Sequence, residues 1–190
     1  MHKINGPLIV GLDEAGRGPW AGPLVAAAVI LKKGFTHILL KDSKRLAPHQ
    51  REAIYEILIQ KTVWGIGIVS SEEIDHFGIQ KSNERAFRRA LANLNHPITQ
   101  ILVDGREPFN LPAKTQAIIG GDGWIPCISA ASILAKVTRD RIMVEYARDY
   151  PFHGFEEHKG YGTSKHRLNL SQHGITPLHR KSYKPIQAYL

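Results

Sequence analysis

Nearly continuous apolar runs, separated by turns rich in glycine and proline, predict buried strands in the first third of the chain. Residues 8–12 and 24–31 form two such runs, each about as long as a buried strand. The prolines and glycines between them predict a hairpin with a wide connection. A third strand is predicted over residues 62–69, where apolar residues alternate weakly with two glycines.

Apolar residues at helical spacing lie between and after these runs. One helix begins near Pro48, with apolar positions at helical spacing over residues 53–58. Ser70 can cap a short helix, and residues 82–94 form another helix with one apolar side. A long helix over residues 129–149 opens with alanines that are small enough to contact a sheet closely. Because helices alternate with strands and the first two strands form a hairpin, the pattern predicts an α/β fold with a mixed sheet.

Three apolar runs each bring acidic residues close to a glycine. The acids are Asp13 and Glu14 after the first run, Asp104 after residues 101–103, and Asp122 after residues 117–119. Burying apolar surface next to a carboxylate is costly unless the carboxylate faces a metal, a cation or water. A single case would indicate a strand that ends in a turn with solvated acids. Three cases indicate carboxylates that converge at one edge of a sheet.

The distribution of charge favours an anionic partner. The formal net charge is +8, and residues 158–190 contain six lysines and arginines but no aspartate or glutamate. These residues belong to a C-terminal segment whose boundary is Pro151. Tyr161 lies there between two glycines. Cations around a displayed aromatic ring are typical of a nucleic-acid surface, although a solvated basic face with a packed tyrosine gives the same pattern.

The cysteine content and the hydropathy predict a cellular location. Cys127 is the only cysteine, so an internal disulfide is impossible and a reducing compartment is expected. No signal segment opens the chain, and no apolar stretch reaches about 18 residues. We therefore expect a soluble cytoplasmic protein that does not contact membranes.

Four carboxylates at one site repel each other, and this repulsion indicates the chemistry that the site performs. Repulsion raises the pKa of some of these groups and destabilises the empty site, whereas two divalent cations would neutralise it. Ligands that are all oxygen favour Mg²⁺ or Mn²⁺ over zinc. Two such ions about 3.5–4 Å apart can activate a water molecule and stabilise charge on a phosphate. The residues therefore predict metal-assisted phosphodiester hydrolysis, without distinguishing RNA from DNA.

Five segments of the chain resemble the bacterial ribonuclease HII family, the type 2 ribonucleases H. They are DEAGRGP at 13–19, DSK at 42–44, VDG at 103–105, AASILAKVTRD at 130–140 and GYGT at 160–163. The resemblance implies a ribonuclease H-like mixed β-sheet flanked by helices, with a small helical C-terminal extension. It also implies a catalytic domain over residues 1–150 and a basic segment over residues 151–190 that packs on it and contacts substrate.

The same resemblance implies a reaction. Family members cut the RNA strand of RNA–DNA hybrids and incise 5′ to single ribonucleotides in duplex DNA, as in ribonucleotide excision repair. Their products carry 3′-hydroxyl and 5′-phosphate ends. We expect an enzyme that uses two Mg²⁺ or Mn²⁺ ions and acts as a monomer. The alternative is a catalytically silent module that binds RNA–DNA hybrids, against which the presence of all four acids argues.

The resemblance assigns a role to individual residues. The metal-binding acids would be Asp13, Glu14, Asp104 and, as the fourth carboxylate, Asp122. Asp140 competes for the fourth position, but it lies inside a predicted helix between two arginines, where an ion pair is the simpler explanation.

Residues that would contact substrate follow from the same motifs. The loop that recognises the ribose 2′-hydroxyl would be Gly16, Arg17 and Gly18, and Tyr161 would place its ring on the sugar after the ribonucleotide. The contacts to phosphate would be Ser43, Lys44, Ser132 and Lys136.

Overall fold

A mixed sheet forms the centre of the protein. The computed structural model describes residues 8–32, 34–35 and 46–190, so the predicted phosphate contacts Ser43 and Lys44 lie outside the described residues. In the described part of the chain the sheet has five strands in the order β3-β2-β1-β4-β5. The strands are β1 (Ile9–Ala15), β2 (Leu24–Ile30), β3 (Val63–Val69), β4 (Gln100–Asp104) and β5 (Lys114–Ile118). Strand β1 pairs antiparallel with β2 and parallel with β4, which confirms the predicted mixed sheet.

Helices cover both faces of this sheet. They are α1 (Pro48–Lys61), α2 (Ser71–Phe77), α3 (Ile79–Leu94), α4 (Pro126–Asp149), α5 (Phe155–His158), α6 (Ser164–His173) and α7 (Lys184–Gln187). Side chains of a strand alternate between faces, so Ala26 and Ala28 join the core under α3 while Ala27 and Val29 join the core under α1 and α4. Both faces of β2 are therefore buried, which explains its continuous apolar run. Within the described ranges, no helix is both long and apolar enough to cross a bilayer.

Two predicted helices begin earlier than the sequence pattern indicated. Helix α3 begins at Ile79, directly after Gly78, whose φ of 75° ends the preceding helix. Helix α4 begins at Pro126, where a proline at the first helical position gives up no intrahelical hydrogen bond. The sequence pattern predicts these starts at residues 82 and 129 because the apolar face of each helix becomes clear only there.

The last predicted strand differs most from the structure. The apolar run over residues 117–119 predicts a strand that leads to Asp122, but β5 ends at Ile118 and Ile119 is exposed. Asp122 instead lies in a short 3-10 turn, Gly121–Gly123, that leads into α4. Strand β5 is at the edge of the sheet and is only partly buried, so its sequence lacks the apolar signal of a central strand.

The chain after α4 folds back onto the loop between β1 and β2. The backbone N–H of Trp20 donates to the Gly160 carbonyl at 2.8 Å, and the N–H of Arg180 donates to the Trp20 carbonyl at 2.8 Å. A small apolar cluster joins Ala21 to residues of α4 and α5. These contacts hold the basic C-terminal segment against the end of β1, while the predicted division at residue 150 stays a prediction.

Candidate active site

Four acidic side chains line one cavity of about 490 Å³ at the carboxyl ends of β1 and β4. Because these strands are parallel, with Leu12 opposite Val103, Asp13 and Asp104 occupy neighbouring strand ends. Asp122 joins them from the turn before α4, where its backbone N–H donates to Asp104 Oδ1 at 3.4 Å. Glu14 completes the group, so the structure brings together all four acids that the sequence singled out.

The carboxylates repel each other in this setting. Burial, followed by the charges of Glu14 and Asp104, raises the pKa of Asp13 well above its ordinary value. Burial also raises the pKa of Glu14, against the lowering effect of the Arg17 guanidinium, which lies 3.4 Å away. A hydrogen bond with the Ser132 side chain favours the charged form of Asp13. A divalent cation among these groups would favour their charged forms against both burial and repulsion.

The donor set fits a hard divalent cation, although the acids are not yet arranged around one. Within residues 8–32, 34–35 and 46–190, no three His, Cys, Asp or Glu side chains form a group that could already hold an ion. Glu14 is directed towards Arg17, which has about half of its side chain exposed. Carboxylate oxygens are the ligands that Mg²⁺ and Mn²⁺ prefer, so the chemistry of the residues suits these ions.

Asp140, the competing candidate for the fourth carboxylate, has another partner. Its Oδ1 accepts a hydrogen bond from Lys136 Nζ at 2.8 Å, four residues earlier on α4. It lines a separate surface groove with Arg141 and Glu145, whereas Asp122 lines the cavity of the other acids. The arrangement therefore favours Asp122, and its role as a metal ligand stays a prediction.

The loop after β1 presents backbone groups to the same cavity. Gly16 has a φ of 104°, and a Cβ at this position would overlap the Arg139 side chain, so glycine is required there. Gly18 is exposed, and a Cβ built on it would lie 4.0 Å from Cε1 of the Tyr161 ring. The loop backbone and the Tyr161 ring therefore face each other across a narrow opening.

Tyr161 stands at the rim of the cavity. Its side chain is 42% exposed, and the Lys136 ammonium and the Arg139 guanidinium each lie 5.7 Å from the ring centroid. The glycines on either side pack against Ala21 and Trp20, where a Cβ would overlap those residues. The flanking glycines thus do more than expose the ring, since they let its loop contact the loop after β1.

Two arginines, one of them in the predicted basic segment, lie in the interior. Arg180 is one of the six cations that predict a nucleic-acid surface, but it is fully buried and donates to the carbonyls of Gly16, Arg17 and Gly22. Arg139 is also fully buried and donates to the carbonyls of Pro23, Ala21 and Lys159. The sequence offered no sign of this, because a buried arginine that binds carbonyls looks like any other basic residue.

Asn83 is a further residue that the motifs did not identify. It is 1% exposed on α3, and a hydrogen bond with its side chain lowers the pKa of Glu14. The available signal was an amide on the buried side of an amphipathic helix, in line with Ala86, Phe87 and Ala90. Polar groups buried in this way need a partner, and here the partner is an acid of the site.

A cluster of buried histidines contacts the Tyr161 backbone, since His166 Nδ1 lies 3.0 Å from the Tyr161 carbonyl oxygen. His166 and His179 are fully buried, with their Nε2 atoms 3.0 Å apart, and His158 stacks on His166 with ring centroids 4.2 Å apart. Burial lowers the pKa of His166 to about 4 and the pKa of His179 to about 3. Burial likewise lowers the pKa values of His153 and His158.

This cluster is expected to make the fold sensitive to acid. Below about pH 6.5 these histidines bind protons in the unfolded chain but stay unprotonated in the folded protein, where their pKa values are lower. The free energy of unfolding therefore falls as the pH drops towards about 4. His166 and His179 each contribute up to about 1.4 kcal/mol per pH unit in this window. Urea unfolding at about pH 7 and about pH 5 measures the effect. A His179→Gln variant should show a smaller difference between the two pH values, and an unchanged difference would contradict the assignment.

Comparison with known proteins identifies the family. The family model for Ribonuclease HII matches residues 10–186. The chain is 48% identical over 190 residues to a Ribonuclease HII of Hydrogenovibrio crunogenus, covering 100% of this chain and 91% of that protein.

Solved structures share the fold. The crystal structure of ribonuclease H2 from Pyrococcus horikoshii OT3 matches with a TM-score of 0.78 and 29% identity, over 95% of this chain and 96% of that one. Bst-RNase HIII, solved in complex with Mn²⁺, matches with a TM-score of 0.76 and 15% identity, over 98% of this chain and 70% of that one. Together with the sequence matches, these similarities show that the chain belongs to the ribonuclease HII family and is a ribonuclease H, a nucleic-acid hydrolase.

Proposed function

We propose that this endoribonuclease hydrolyses the RNA strand of RNA–DNA hybrids and incises 5′ to single ribonucleotides embedded in duplex DNA. The observation that carries the proposal is that the acids and the loop of residues 16–18 line one cavity, with Tyr161 on its rim. A ribose 2′-hydroxyl is what distinguishes RNA from DNA at one position, and exposed backbone groups at a glycine can approach it closely. Recognition and hydrolysis would then take place within one cavity.

The acids have a consistent role in this reaction. Asp13, Glu14, Asp104 and Asp122 would hold two divalent cations, Mg²⁺ or Mn²⁺, which when bound neutralise charge at the phosphate and make a water molecule easier to deprotonate. Ser132 supports the charged form of Asp13, and Asn83 supports that of Glu14. Hydrolysis of the bond on the 5′ side leaves a 3′-hydroxyl on one fragment and a 5′-phosphate on the ribonucleotide.

Other residues of the cavity would bind the substrate strand. Lys136 lines the cavity and forms an ion pair with Asp140. When the substrate strand binds, its ammonium would contact a phosphate in place of part of this ion pair. Ser132 also lines the cavity, so its hydroxyl can serve both Asp13 and a phosphate. Tyr161 would place its ring on the sugar that follows the ribonucleotide, and a deoxyribose, which lacks the 2′-hydroxyl, would fit best there. We further infer that the enzyme acts as a monomer in the cytoplasm.

A nicking assay tests the proposal directly. A labelled DNA duplex that contains one ribonucleotide should be cut 5′ to that position with Mg²⁺ or Mn²⁺ and left intact when a chelator removes the metal. The matched control is the same duplex with deoxyribose at every position, which should not be cut. Binding of the ribonucleotide duplex without cleavage in either metal would favour the catalytically silent module instead.

A further inference from the structure

Arg180 fixes the backbone of the loop that follows β1. Its Nη2 donates to the Gly16 carbonyl at 2.6 Å, its Nη1 to the Arg17 carbonyl at 3.1 Å, and its Nε to the Gly22 carbonyl at 3.1 Å. Nη1 also donates to the Tyr183 hydroxyl at 2.9 Å, and Nη2 also donates to Gly22 at 2.9 Å. These contacts use all five N–H groups of a guanidinium, so the direction of each loop carbonyl is specified by a rigid planar group.

The residue before Arg180 begins a hydrogen-bonded chain that leads to Tyr161. The Thr176 backbone N–H donates to His179 Nδ1 at 2.8 Å, so a neutral His179 carries its proton on Nε2. That proton is donated to His166 Nε2 at 3.0 Å, which leaves the proton of His166 on Nδ1. His166 Nδ1–H then donates to the Tyr161 carbonyl at 3.0 Å. One backbone N–H therefore determines the tautomer of both histidines and the contact at Tyr161.

The adjacent residues His179 and Arg180 thus hold the two sides of the opening, which are Tyr161 and the loop of residues 16–18. The His179–Arg180 pair is itself anchored, because His179 forms a β-bridge with Ala21 and the Arg180 N–H donates to the Trp20 carbonyl. Arg180 reaches the loop that contains Gly18, while His179 reaches Tyr161 through His166. A shift of the pair would move both sides of the opening.

We propose that His179, Arg180 and His166 are positioning residues that set the separation between the loop of residues 16–18 and the ring of Tyr161. This inference rests on the proposed function, in which the loop recognises the ribose and Tyr161 tests the next sugar. The separation matters most for an isolated ribonucleotide, because only there do a ribose and a deoxyribose have to fit at consecutive positions. On a continuous hybrid the next sugar is also a ribose, so a precise separation contributes less.

Paired variants at His166 separate this role from general damage. The Asn side chain can place its N–H₂ where Nδ1–H lies, whereas the Gln side chain places its N–H₂ near Nε2 and leaves the Tyr161 carbonyl without that donor. We expect H166Q and R180K to lower the ratio of kcat/KM on a single-ribonucleotide duplex to kcat/KM on a hybrid by about tenfold. H166N should stay within about threefold of wild type. The exposed substitutions H173Q and R148K are matched controls that should leave the ratio unchanged.

A loss of folded protein lowers both rates together and leaves their ratio unaltered, so the ratio reports positioning. An unchanged ratio in H166Q overturns the proposal even if R180K fails to fold. Long-range ¹H–¹⁵N spectra of the wild-type protein give a readout that needs no substrate: His166 should be the Nδ1–H tautomer and His179 the Nε2–H tautomer. The opposite tautomer at His166 also overturns the proposal. If the wild type does not cut the single-ribonucleotide duplex, the proposed function fails, and the tautomers still decide whether the chain to Tyr161 exists.

Discussion

The Asp104→Asn variant is expected to lose about 10³-fold or more of its nicking rate while it still binds a ribonucleotide-containing duplex. Asparagine keeps the side-chain oxygen that accepts the Asp122 N–H, so the turn before α4 should remain in place. It removes one negative charge from a site whose acids repel each other, and with it the ability to hold a divalent cation tightly. Single-turnover cleavage and a binding titration of the same protein measure the two properties.

A comparison with the other candidate acids makes this result specific. Asp122→Asn should resemble Asp104→Asn, because both acids line the cavity. Asp140→Asn removes only a partly exposed ion pair with Lys136, so it should retain most of its activity. Full activity of the Asp104 variant would contradict the metal-binding role, and a larger loss in the Asp140 variant than in the Asp122 variant would exchange the roles of these two residues.

Tyr161→Ala should lose about 10- to 100-fold of its activity on a single ribonucleotide, because a ring stacked on a nucleotide contributes about 1–3 kcal/mol. The side chain is 42% exposed, so its removal should change the free energy of unfolding little. The glycines that position this loop and the hydrogen bond from His166 to the Tyr161 carbonyl belong to the backbone and persist in the variant.

The hydroxyl and the ring of Tyr161 can be tested separately. Tyr161→Phe keeps the ring between Gly18 and the cations of α4, so it should keep most of the activity on a single ribonucleotide. Rates are compared on the single-ribonucleotide duplex and on a continuous hybrid, with the larger loss expected on the former. Wild-type activity of Tyr161→Ala on the single ribonucleotide would remove the proposed role of the ring.

The central strands could be predicted from the sequence because a strand that is buried on both faces has a continuous run of apolar residues. Strand β2 is buried along its whole length, and its sequence is apolar along its whole length. The first part of strand β5 could not be predicted, since an edge strand with partly exposed side chains tolerates Lys114, Thr115 and Gln116. The glycines that follow an apolar run predict that Asp122 lies at a strand end, yet those glycines form a separate turn.

The acids of the site were accessible to sequence reasoning, whereas the residues that support the loops of residues 16–18 and 160–162 were not. One carboxylate at the end of an apolar run indicates little, but the recurrence of this pattern at three runs pointed to a shared site. Arg139 and Arg180 act through backbone carbonyls that are up to 164 positions away in the chain, and no local pattern records such contacts. The hydrogen-bonded chain through His179 and His166 could not be predicted either, because the direction of each of its hydrogen bonds depends on the backbone N–H of Thr176.

The positive charge of the protein is of two kinds: Arg139 and Arg180 are buried, whereas other lysines and arginines are exposed to solvent. The formal charge of +8 counts both guanidiniums, yet neither can meet a phosphate, because each is enclosed and bonded to carbonyl groups. Dissolved salt screens charges at the surface far more than charges in the interior. Higher ionic strength should therefore weaken the encounter with nucleic acid, while the shape of the opening and the choice of sugar that we propose for it should stay the same.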